Sequence, residues 1–147
     1  MAMLFDHLPT DATLFADGGS RGNPGPAASG AVLLDAQGEV TDRVGLFLGR
    51  ATNNVAEWTA LCIGLERAAE KGVRRLAVRL DSELVVKQMR GEYRVKHQDL
   101  LPLYRRARTL MNKFEHVDIK HVRRKDNALA DRLVNEVLDQ QASAPAP

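Results

Sequence analysis

Cysteine is almost missing from this chain: Cys62 is the only one. A single thiol excludes an intramolecular disulfide and any multi-cysteine zinc site, so a reducing, cytoplasmic setting is the expectation. No apolar run approaches the roughly 18 residues of a membrane span, and no membrane partner is expected. Met1–Ala12 has neither the basic start nor the apolar stretch of a secretory signal. Internal repeats and linkers are missing too, as are a phosphate-cradling P-loop and a nucleophilic triad. What is there is 147 residues and 16.2 kDa, with 44% hydrophobic and 27% charged residues. That is one ordinary globular domain with enough apolar material to bury a core.

The net charge of +2 conceals an asymmetry. Leu84–Lys125 carries 12 Lys or Arg against 4 Asp or Glu, or +8, while the other 9 basic and 15 acidic residues leave −6. A basic block beside an acidic remainder suggests a polyanion held near carboxylates that carry metal. The plainer explanation is a salt-bridged helical surface.

Patterning predicts strands at Thr13–Ala16, Ala28–Leu34 and Val40–Leu48, the first stopped by Asp17-Gly18-Gly19. Apolar residues then recur at helical spacing from Val55 to Ala69, ended by Lys71-Gly72. Arg75–Leu80 reads as a strand, Ser82–Met89 as a short helix and Leu100–Phe114 as a longer one begun at His97. His116–Val122 is a fifth strand and Ala128–Leu138 a last helix. The order βββαβααβα is an α/β domain over residues 13–140: a five-stranded mixed sheet flanked by helices, with 1–12 an extension and 141–147 a disordered tail. Parallel neighbours need a helical crossover, so the fourth and fifth strands belong beside the first. Their C-terminal ends then share the edge where open α/β sheets bind ligands.

Four acids lie at these ends: Asp17, Glu57, Asp81 and Asp131. Each has an ordinary explanation. Asp17 suits a turn, Glu57 a capping box with Asn54, Asp81 a helix cap, and Asp131 the positive end of a helix dipole. Together they repel unless cations sit between them. Carboxylate oxygens suit hard ions, Mg²⁺ or Mn²⁺, and two such ions support in-line displacement at a phosphodiester.

LFADGGSRGNPGP at Leu14–Pro26, TNNVAEW at Thr52–Trp58, LDSE at Leu80–Glu83 and NALADRL at Asn127–Leu133 occur in that order. In these stretches the chain resembles type I ribonuclease H, over about Thr13–Leu138. The resemblance implies a ribonuclease H-like fold and hydrolysis of the RNA strand of an RNA–DNA hybrid, leaving 5′-phosphate and 3′-hydroxyl ends. It implies two Mg²⁺, with Mn²⁺ as the alternative. One, matched to Asp17 and Asp131, activates water; the other, matched to Asp17, Glu57 and Asp81, stabilises the leaving oxygen. It places Gly18, Asn23, Asn53, Asn54 and Glu83 along the RNA strand, and Arg50 and Thr52 at a phosphate of the DNA strand. Asp131 rather than Asp126 takes the fourth acidic position, being followed by Leu133 as the family pattern requires.

Three departures stand out. Only Gly91–Lys96, with Arg94 and Lys96, replaces the basic, Trp-containing protrusion of many members. Grip then falls to Lys87, Arg90, Arg105, Arg106 or Arg108, or is weaker. No His precedes the last acid; Arg124, in Arg123-Arg124-Lys125-Asp126, is either a partial substitute in product release or a phosphate contact. Glu83 stands where an uncharged amide is common. Trp58 and Cys62 read as core, and His97, His116 and His121 as surface. A monomer is expected. Double-stranded RNA as a second substrate, a junction resolvase or integrase-like nuclease, and a non-catalytic binding module are the rival readings.

Overall fold

In the computed structural model the described residues are 10–143, and their order is βββαβααβα, as the patterning predicts. The strands are β1 (Ala12–Ser20), β2 (Gly25–Asp35), β3 (Val40–Ala51), β4 (Arg75–Leu80) and β5 (His116–His121). The helices are α1 (Asn53–Glu70), α2 (Glu83–Met89), α3 (Leu101–Met111) and α4 (Ala128–Ser143), with a 3₁₀ turn at Arg124–Asn127. The sheet order is β3-β2-β1-β4-β5, antiparallel across β1–β2–β3 and parallel across β1–β4–β5. The parallel strands thus lie beside β1, where their helical crossovers require them.

Several boundaries move. β1 is not stopped by Asp17-Gly18-Gly19, because pairing with β2 continues to Ser20↔Ala27. Its parallel pairing with β4 ends earlier, at Ala16↔Leu80, so the last part of β1 is paired with β2 alone and leaves its other edge open. α3 begins at Leu101, leaving His97 in the loop, and ends at Met111. Residues 112–114 tighten into i→i+3 hydrogen bonds, as helix ends often do. Ala12 belongs to β1 and the preceding Asp11 is tied to the sheet, accepting from the Arg74 and Arg75 amides. The supposed tail is helical through Ser143; the rest of it, and residues 1–9, lie outside the described residues.

The sheet divides two helical layers. Leu14, Ala16, Ala31 and Leu33 face α1, α2 and α3 in the main core, which Trp58, Leu61, Leu65, Leu76 and Val78 fill. Trp58 is fully buried and meets Tyr104 edge-on, with ring centroids 5.9 Å apart. Cys62 is buried there as well, and burial pushes its thiol up to about 11. Ala28 packs on the other face against Val134 and Leu138 of α4. Thr52 starts α1, its hydroxyl accepting from the Val55 amide, and Gly72 (φ +77°) takes the left-handed turn after its end.

One contact sets how close α1 comes to the sheet. A Cβ on Gly18 would stand 2.1 Å from the Ala56 carbonyl carbon and 2.4 Å from the Glu57 nitrogen. On β2, the buried Ser29 hydroxyl donates to the Ala56 oxygen at 2.6 Å. Backbone cannot retreat as a flexible side chain can, so overpacking here falls at the severe end. Gly18→Ala should cost at least about 3 kcal/mol, read in a urea titration by the fluorescence of the single tryptophan. A loss under 1 kcal/mol would show that α1 tolerates displacement.

Candidate active site

The four acids come from four elements and line one cleft of about 420 Å³. Asp17 is the first residue of β1 beyond its last pairing with β4, and Asp81 directly follows β4. Glu57 is the fifth residue of α1, one turn past the cap, and Asp131 is the fourth of α4. Their ordinary explanations largely fall away. The α1 cap is Thr52 and no acid occupies its first turn, so Glu57 is in no capping box with Asn54. Ser82, not Asp81, caps α2 by accepting from the Val85 amide. Asp17 lies within a strand rather than a turn. Asp131 keeps its place near a helix N-terminus, and Asp126 turns away to accept from Arg123.

Electrostatics match the crowding. Burial, the Asp81 and Asp131 charges and a hydrogen bond to Asp131 push the Asp17 carboxyl up to about 8. Burial and Asp81 push Glu57 up to about 7, against a hydrogen bond from Ser82. Such neighbours cannot all ionise cheaply, and a bound cation relieves the cost. The donors are carboxylate oxygens without thiol or imidazole, a hard-ion set. Among the described residues no three His, Cys, Asp or Glu side chains close into a ready-made cage. Mg²⁺ keeps several waters and shares its shell with substrate phosphate, so carboxylates that do not enclose an ion by themselves still suit it. The residues fit the ions.

A knot of polar groups borders the acids. The Asn53 side-chain oxygen accepts from the Ser20 amide at 2.8 Å, and the Asn23 oxygen from the Asn53 amide at 3.1 Å. Both side chains keep their NH₂ donors. Asn53 lines the cleft with Gly18, whereas Asn23, Thr52 and Asn54 stand around it and Arg50 is exposed on the end of β3. Arg124 lines the cleft too, 4.0 Å from Asp131. Glu83 is not in that lining; it pairs with Lys87 at 3.0 Å, and Lys87 in turn sits over the Tyr93 ring.

A family described as "Reverse transcriptase-like" matches residues 15–137. The N-terminal ribonuclease H domain of Rv2228c from Mycobacterium tuberculosis superimposes with a TM-score of 0.87 at 46% identity, over 92% of this chain and 99% of that one. Ribonuclease H1 of Halobacterium salinarum superimposes at 0.85 and 45%, over 88% and 98%. LC11-RNase H1, solved in complex with an RNA/DNA hybrid, does so at 0.85 and 37%, over 90% and 99%. This chain belongs to the type I ribonuclease H family. It spans 36% of the full length of the bifunctional protein Rv2228c and 63% of the halobacterial ribonuclease HI.

As a member of that family, the chain departs from expectation in how its cations are used. No helix interrupts residues 90–100 between α2 and α3. Of the five cations offered as grip, four have other partners. Lys87 meets Glu83, Arg90 donates to the Ile119 carbonyl, Arg106 to Glu66, and Arg108 to the Met89 carbonyl. Arg90 and Arg108 thus brace backbone carbonyls, whereas Lys87 and Arg106 lie in solvent-exposed ion pairs that contribute little, and Arg105 has no partner among the described residues. Sequence reasoning missed three residues. Asn127 is fully buried and donates to the Ala16 carbonyl at 3.0 Å, anchoring the entry to α4 beside Asp17. Arg21 and Asn135 join the cleft lining. A cation inside the glycine-rich stretch was the visible signal for Arg21.

The raised acids tie the stability of the metal-free chain to pH. Asp17 binds its proton up to about 8 when folded, against 3.8 ordinarily. The native state therefore holds the extra proton between those values, and stability is full below about 4 and lost as pH rises through 8. In chelator at pH 8.5, Asp17→Asn should be more stable than the parent by about 1–3 kcal/mol, several degrees in Tm. Calorimetry should find the gap largely gone at pH 4.5. An equal gap at both values would refute the charge crowding.

Proposed function

We propose that this chain hydrolyses the RNA strand of RNA–DNA hybrids, leaving 5′-phosphate and 3′-hydroxyl ends. The observation that carries the reading is the convergence of Asp17, Glu57, Asp81 and Asp131 from four elements on one cleft bordered by amide side chains. The family and the hybrid bound to LC11-RNase H1 support the substrate. Asp17 and Asp131 would hold one divalent ion, and Asp17, Glu57 and Asp81 a second. Ions bound there would lower the pKa of water and neutralise charge on the phosphoryl oxygens.

The protein's own part is placement. β1 and β4 end in a hydrogen-bonded sheet, so Asp17 and Asp81 are presented on rigid backbone. Asn127 holds the start of α4, and with it Asp131, on the Ala16 carbonyl. Asn23 and Asn53, their oxygens engaged within the protein, offer amide donors to 2′-hydroxyls, the mark that distinguishes RNA from DNA. Asn54 and the Gly18 backbone lie along the same strand, with Glu83 beyond its ion pair with Lys87. Arg50 and Thr52 take a phosphate of the DNA strand, and Arg124 a phosphate near Asp131.

The test uses one end-labelled RNA annealed to DNA, annealed to RNA or left single, with Mg²⁺, Mn²⁺ or chelator. Metal-dependent cutting of the hybrid with 3′-hydroxyl ends is expected. Cutting of the RNA duplex at an equal rate would overturn the substrate, and tight hybrid binding without cutting would make this a binding module. Asp17→Asn should lower cleavage at least about 10³-fold while hybrid affinity stays within a few-fold. Lost affinity with unchanged chemistry per bound complex would remove Asp17 from the ion site.

A further inference from the structure

The acids occupy only part of the cleft. Beyond them its lining continues through Gly18, Gly19, Ser20 and Arg21 on one side and Val134, Asn135 and Leu138 of α4 on the other. Arg21 spans the two sides. Its guanidinium donates to Asp139 at 2.6 Å and more weakly to Asn135 at 3.4 Å. Arg21 and Arg124 are the only cations in a lining that holds four carboxylates. A polyanion entering there meets strong repulsion unless cations act on it directly.

The pair that holds Arg21 is a weak one. Its side chains are 43% and 68% exposed, and exposed ion pairs contribute little net stability. A guanidinium donates two parallel hydrogen bonds to a phosphate as readily as to a carboxylate. Ser20, just before it, is anchored by its amide to Asn53 and by its hydroxyl to the Ala51 carbonyl. The root of the arm is fixed while its tip is exchangeable.

We propose that Arg21 is a substrate-binding residue: it leaves Asp139 for a backbone phosphate of the strand lying in the cleft, with Asp139 competing for it. This deepens, and rests on, the reading of the cleft as a hybrid site. Removing the arm and removing its competitor then have opposite effects. A simple staple between the β1–β2 loop and α4 would make the two removals equivalent.

The experiment measures hybrid cleavage in Mg²⁺ over a range of salt for the parent, Arg21→Ala, Arg21→Lys and Asp139→Asn, with thermal melts confirming folding. Arg21→Ala should raise KM roughly three- to tenfold with kcat little changed, and reduce the salt slope by about one. Arg21→Lys should recover part of the loss, having the charge without the fork. Asp139→Asn should lower KM. Equal KM increases for Arg21→Ala and Asp139→Asn, or no change in either, would overturn the role of Arg21 while leaving the hybrid reading intact. A parent that cuts no hybrid would instead remove that reading.

Discussion

The approach of α1 to β1 at Gly18 is the constraint on which the rest of the site depends. Helix backbone lies where a Cβ would be, and the Ser29 hydroxyl fastens the Ala56 carbonyl from the next strand. Glu57 follows Ala56 directly, so the contact that docks the helix also fixes where its acid enters the cleft. Alternation along β1 completes the arrangement. Ala16 and Gly18 face α1, leaving Asp17 to reach Asp131 on the α4 side.

Such a site is costly to the ion-free fold. Asp17 and Glu57 are buried beside like charges, and their raised carboxyl values express that cost. The scaffold bears it through rigid neighbours. Five paired strands, a core around Trp58, and the Asn127 anchor leave the acids little freedom to separate. The same repulsion makes the cleft receptive to hard cations. Stability given up without the ions is the counterpart of affinity for them.

Part of the positive charge in this chain is used for building. Arg90 and Arg108 donate to the carbonyls of Ile119 and Met89, and Arg79 reaches the Asp118 carbonyl and carboxylate. A sequence run at +8 therefore overstates the charge available to a polyanion. Without a helical protrusion, the cations that line the cleft with the four acids are Arg21 and Arg124.

Much was legible in the sequence because it is local. Hydrophobic period distinguishes strand from helix, and the need for helical crossovers orders β4 and β5 beside β1. The four acids could be read because the stretches that hold them occur together in a family's order, although each acid taken singly had an ordinary explanation. Long-range facts were not legible. That β1 outruns β4 depends on unequal pairing with two neighbours, and no pattern within Asp17-Gly18-Gly19 distinguishes a strand from a turn. The partners of Arg21, Arg90 and Arg108 lie between 19 and 118 residues away, and charge counting is blind to them. The sequence by itself determined which chemistry the chain carries, since residue types and order are enough for that. Tertiary structure alone decided which cations are free to serve it, because an arginine's partner is set by packing and not by its neighbours in the chain.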